Sequence, residues 1–167
     1  MPSLKTYTAK LAKLLGTTPA VMYERQRALV KAGLLINERG RGPGSGVKAT
    51  GESVATLLVA AISANNLSET AERMLDIAAT KSTKPNRAFF LDTVVDLLKS
   101  KERAGNVHLI TISRSSAEAS ITYGRNKLHH VHFFTQGSRR KPLVRIIAEI
   151  DGDVVREIAS DLANMAD

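Results

Sequence analysis

Gly40, Gly42, Gly44 and Gly46 alternate along the stretch ERGRGPGSGVKATGE, Glu38 to Glu52, with Arg39, Arg41 and Lys48 beside them. Glycine lets a backbone approach a partner closely, and guanidinium or ammonium groups suit phosphate oxygens. The chemistry offered is anion binding, either around a nucleotide's phosphates or against those of DNA. A nucleotide P-loop continues from its last glycine into Lys and then Ser or Thr. Here Val47 follows Gly46 and Ala49 follows Lys48, so that register fails. The dinucleotide pattern lacks a preceding buried strand and a surrounding βαβ unit. A flexible linker would share the composition.

Other chemistry is sparse. His130 and His132, in LHHVH, fall on one face of an expected strand, and imidazoles suit zinc or nickel. A strand histidine is more often packed or hydrogen-bonded, and His108 is the sole further candidate outside that run, so no metal ligand is assigned. The hydroxyls of ITISRSSAEASITYG and Tyr123 lie beside no evident base. No triad assembles from the spacing, so no catalytic residue, no cofactor and no enzyme activity is assigned. The chain has no cysteine, which removes disulfides, thiolate zinc sites and thiol nucleophiles.

Charge narrows the partner. Of the net +8, most sits in residues 1–51, where nine cations (Lys5, Lys10, Lys13, Arg25, Arg27, Lys31, Arg39, Arg41 and Lys48) face only Glu24 and Glu38. A charge serving solubility alone would be spread more evenly, so a local polyanion is the simpler explanation. In GSRRKP, Arg139, Arg140 and Lys141 read as a solvated turn or as a second phosphate contact.

The elements that must position these residues follow from periodicity. KTYTAKLAKLLG places Tyr7, Leu11, Leu14 and Leu15 on one helical face, and Gly16 ends that helix. TTPAVMYERQRALVKAG predicts a second helix with Thr18 as N-cap, Pro19 in its first turn and Gly33 as its stop. GLLIN and VKAT, on either side of the glycine-rich loop, are expected as paired short strands. ESVATLLVAAISAN is a nearly uncharged helix whose Val54, Leu57, Leu58, Ala61 and Ile62 fill a core. SETAERMLDIAA is expected as a helix from Ser68 with an imperfect capping box. TKSTKPN, residues 80–86, reads as a joint. RAFFLDTVVDLLKSKE is expected as one amphipathic helix. VHLITIS, ASITYG, HVHFFTQ and LVRIIAEI then carry strand signals, and DGDVVREIASDLANM closes as a helix. Strands joined by short turns predict an antiparallel sheet backed by helices, an α+β module.

LAKLLGTTPAVMYERQRALVKAGLL, followed by a basic glycine-rich loop, resembles a winged helix-turn-helix of bacterial and phage transcription regulators. The short lead-in before the first helix is similar to the MerR arrangement. Ala12 falls where close helix crossing wants a small residue, Leu11, Leu15 and Met22 fall inward, and Gly16 takes the turn. Arg25 departs from the pattern, standing where a large apolar residue is usual. The resemblance implies a recognition helix in the major groove, with Thr18, Ala20, Tyr23, Glu24 and Arg27 pointing outward. Arg27 would pair with guanine and Glu24 with cytosine. Arg39 and Arg41 would lie on the wing, and Lys10, Lys13, Lys31 and Lys48 would meet phosphates. The alternative for Glu24, Arg25 and Arg27 is that each is a solvated helix charge.

The expected organisation is a winged helix-turn-helix over 1–64, a helix and linker over 65–85, and an α+β dimerisation or effector module over 86–167. The expected function is sequence-specific regulation of transcription on double-stranded DNA by a homodimer, as a repressor since no acidic activating segment is present. An architectural or recombination-directing protein that bends DNA, and a protein-interaction module with a degenerate helix-turn-helix, are the alternatives. No apolar run is long enough to cross a bilayer and the N-terminus has no signal-peptide pattern, so a cytoplasmic protein without a membrane partner is expected.

Overall fold

The computed structural model describes residues 2–37, 46–124, 130–136 and 146–166. Helix α1, Leu4–Leu14, starts where the Ser3 side chain accepts from Thr6 N, and α2, Pro19–Lys31, starts where Thr18 does the same for Val21 N. These side chains satisfy N–H groups that no helical carbonyl can reach. Between the helices, Thr17 N donates to Ala12 O at 2.9 Å and Gly16 N to Lys13 O at 3.3 Å, with Gly16 at φ +63°. This Schellman turn needs a left-handed residue, which glycine adopts without the roughly 1–2 kcal/mol that a side chain adds. Leu11, Ala12, Met22 and Leu29 are fully buried where the two helices meet the core.

Helix α3, Gly51–Ser63, follows a capping box between Thr50 and Ser53 and is buried along nearly its whole length. It packs against α1, α2, α4 (Thr70–Ala78), α5 (Phe90–Leu98) and the sheet. After α5 come α6 (Lys101–Gly105), the strands β2 (Val107–Ser113), β3 (Glu118–Tyr123), β4 (His130–Thr135) and β5 (Ile147–Asp151), and finally α7 (Gly152–Ala166). Residues 80–86 carry the short strand β1, Lys81–Ser82, which pairs with β4. Among the described residues the five strands are all antiparallel, in the order β1-β4-β3-β2-β5.

The fold is therefore α+β, with one face of an antiparallel sheet turned to the helices. Ile110, Ile112, Ile121, Phe134 and Ile150 occupy that face by strict alternation, and Phe134 meets Phe90 of α5 edge-on at 5.1 Å. Their neighbours Thr111, Ser120, Phe133 and Glu149 lie on the other face.

Three expectations are corrected. Residues 33–37 form no strand, and the pairing seen for the VKAT segment is with the chain's lead-in: Leu4 N donates to Val47 O at 2.7 Å and Ala49 N to Pro2 O at 3.1 Å, around a Ser3–Lys48 bridge. Burial of Leu4, Val47 and Ala49 together accounts for that choice. The expected helix at RAFFLDTVVDLLKSKE is two helices, because Ser100 accepts from Arg103 N and restarts the chain as α6. Helix α4 begins at Thr70 rather than Ser68, since Asn66 Oδ1 captures Glu69 N just ahead of it.

Candidate nucleic-acid interface

Helix α2 has two unlike sides. Met22, Arg25, Gln26 and Leu29 are buried, while Ala20, Glu24, Arg27 and Lys31 are exposed in a stripe at positions i, i+4, i+7 and i+11. Thr18 is exposed at the N-terminus of that stripe, with its hydroxyl committed to the cap. Tyr23 is half-buried beside it, and Lys5 of α1 sits over its ring at 5.1 Å. Glu24 and Arg27 are not independent. Arg27 Nη1 donates to both Glu24 carboxylate oxygens, at 3.0 and 3.2 Å. An exposed pair of this spacing is worth about 0.3–0.5 kcal/mol, so an approaching base or phosphate can exchange it cheaply.

The flanking cations divide. Lys13, in the last turn of α1, and Lys48, beside the N-terminal bridge, are exposed, as is Lys31 at the end of α2. Lys10 is already paired: its ammonium lies 2.5 Å from Asp161 and 3.7 Å from Glu157 of α7. Tyr7 donates to the same Asp161 at 3.3 Å, and burial, followed by that carboxylate's charge, pushes its pKa well up. Lys10 and Tyr7 thus tie α1 to α7. Arg39 and Arg41, and with them Arg139, Arg140 and Lys141, lie outside the described residues.

Arg25 does turn inward, in spite of its charge. It is 8% exposed, and its guanidinium donates to Thr70 Oγ1 at 3.1 Å, to Ala64 O at 3.4 Å and to Ala60 O at 3.5 Å. Arg114 Nε reaches Ile62 O at 2.8 Å, and Arg73 Nε reaches Ser63 O at 3.5 Å. Three guanidiniums from α2, α4 and the turn after β2 therefore meet the last carbonyls of α3, which have no helical donor. A helix C-terminus carries roughly −0.5 of a charge, so the cations are attracted there. Burial first, then the neighbouring Arg114 charge, lower the Arg25 pKa. No short-range motif marks this cluster, because its members are 41 or more residues apart in sequence.

His130 and His132 are engaged with side chains of 82–84. His132 Nε2 bonds to Ser82 Oγ, and its ring stacks on Phe134 at 4.5 Å, while His130 Nε2 meets Lys84 Nζ at 2.6 Å. Among the described residues no three acidic or imidazole groups converge as a metal set. No described helix is long and apolar enough to cross a membrane. Comparison with protein-family models, with characterised proteins and with solved structures returned no match for this chain.

Proposed function

We propose that the chain is a sequence-specific DNA-binding regulator of transcription, in which α1 and α2 form a helix-turn-helix and residues 34–50 its wing. The observation that carries this reading is the exposed Ala20, Glu24, Arg27 and Lys31 stripe of α2, on a helix whose opposite side is packed and whose entry turn is rigidly closed. A recognition helix needs that combination: a fixed backbone, a free face, and small and charged side chains toward its N-terminal half. The pairing of Pro2–Leu4 with Val47–Ala49 supports the MerR-like arrangement, since it ties the C-terminal end of the basic stretch to the lead-in of α1. Lys5, over the Tyr23 ring of α2, and the exposed Lys13 of α1 are further cations suited to phosphates.

Repression is the mode proposed, by occupancy of a site, and a homodimer would read paired half-sites. The experiment is selection from a random duplex library by the purified protein. A recurring motif in the retained pool supports the reading. A retained pool without any motif moves the protein to the architectural class, and failure to retain duplex at all removes DNA as its partner.

A further inference from the structure

A cleft of about 440 Å³ opens between the helix-turn-helix and the sheet. Leu15, Val21, Ile62 and Val154 line it with apolar surface, Arg25 and Arg114 bring charge to it, and the edge strand β5 forms one side. Its volume lies within the range of about 300–1,000 Å³ in which small-molecule sites are found.

Among the described residues, no carboxylate lies within ion-pair distance of either guanidinium in this cleft, although Arg73 beside them pairs with Asp76 at 3.0 Å. Arg25 is more than nine-tenths buried, and all three of its hydrogen-bond acceptors are neutral oxygens. Arg114 uses only Nε among the described residues, leaving the two terminal nitrogens of its guanidinium for another partner. The α3 C-terminus offsets roughly half a charge of the two. Glu149 and Asp151 also border the cleft and bring negative charge to its β5 side, Glu149 from the sheet face away from the helices, opposite Thr111, and Asp151 with a carboxylate that accepts from Asp153 N at 2.7 Å.

We infer that this cleft binds a small organic acid with an apolar body, its carboxylate held by Arg114 and Arg25 and its body packed on Leu15, Val21, Ile62 and Val154. The chemistry follows from the lining: a guanidinium fork matches a carboxylate, and the apolar side chains set in an otherwise polar lining give a hydrocarbon or aromatic group contacts that a bare anion does not use. Thr17, Val21 and Met22, from the turn and first turns of α2, also line the cleft, so an occupant sets how α2 sits against β5. That regulatory consequence rests on the DNA reading above, whereas the binding itself does not.

The test is isothermal titration calorimetry on the full chain without DNA, using 4-phenylbutyrate, the neutral alcohol 4-phenylbutanol and inorganic phosphate as probes. The expected result is saturable one-site binding of 4-phenylbutyrate that is stronger than that of either other probe. Arg114→Gln should weaken it by roughly tenfold or more, the loss of one charge-assisted hydrogen bond. Val154→Trp puts a large ring into the cleft while keeping both arginines in the chain and should abolish it, which keeps the test decisive if Arg114→Gln does not fold. Lys101→Gln, on the exposed α6, should bind as the parent chain does. Absence of saturable binding to the parent chain, undiminished binding in the Arg114 or Val154 variant, or phosphate binding as tightly as the acid would each overturn the inference.

Discussion

Arg25 Nη1 donates to Thr70 Oγ1 at 3.1 Å, joining the inward side of α2 to the first turn of α4 across the end of α3. The bond fixes the rotation of α2, and so decides which of its residues remain outside. A large apolar residue at position 25 could fill the same space, but it could not satisfy the carbonyls of Ala60 and Ala64.

Arg25→Met tests that role. The substitution keeps the stem and removes every donor, leaving Thr70 and the α3 carbonyls without their partner. Urea denaturation should show a loss of about 2 kcal/mol, in the range for hydrogen bonds to charged groups. A loss below about 0.5 kcal/mol, the scale of an uninvolved surface change, would mean the cluster is incidental.

Gly152 starts α7 against the first residue of β2. A Cβ there would meet the Val107 carbonyl oxygen far inside van der Waals contact, and that same oxygen accepts from Arg156 Nη1 at 2.9 Å. The obstacle is backbone, which cannot rotate away as a side chain can. Gly152→Ala should therefore cost about 3 kcal/mol, visible as a lowered urea midpoint, although its φ is not a glycine-only value.

Much of this arrangement was legible locally. Thr18, Pro19 and Gly33 bound α2 as the sequence predicts, because capping depends on neighbours within four residues. The alternation of Ile110, Ile112, Ile121 and Phe134 likewise announced strands with one buried face. Long-range choices were not legible. Nothing near Lys10 foretells Asp161, nothing near Arg25 foretells Thr70, and Val47 reveals no preference for Leu4 over residues 34–37. The same limit hid the cleft, whose two arginines are separated by the whole span from α2 to the end of β2.

The pH dependence turns on His132. Burial, then the charges of Lys84 and His130, hold its pKa below the ordinary 6.5. The folded ring thus stays neutral where the unfolded ring already takes up a proton, and the unfolded state binds more protons. This stability is present in full above pH 6.5 and declines as pH falls from there through the lowered folded value. Urea midpoints should be lower at pH 5 than at pH 7.5, and His132→Gln should narrow that difference. An unchanged difference in the variant would place the sensitivity on another group.

On the proposed recognition helix, Arg27 and Lys31 should fail differently. Arg27→Ala should cost about 1–3 kcal/mol at the preferred site and relax the choice at one base position. Lys31→Ala should weaken all duplexes alike and reduce the salt slope by about one. Competition binding against single-base variants of the selected site separates the two patterns, and identical behaviour of both variants would count against base readout by Arg27.

Whether this chain reads DNA sequence is decided by fluorescence anisotropy with the duplex upstream of its own coding region and a scrambled duplex of equal length, at two salt concentrations. The account predicts binding to the native duplex that is at least roughly a thousandfold tighter than to the scrambled one, with both weakening as salt rises. Equal affinity for the two duplexes would contradict sequence reading at that region, and no binding to either at low salt would contradict DNA binding altogether.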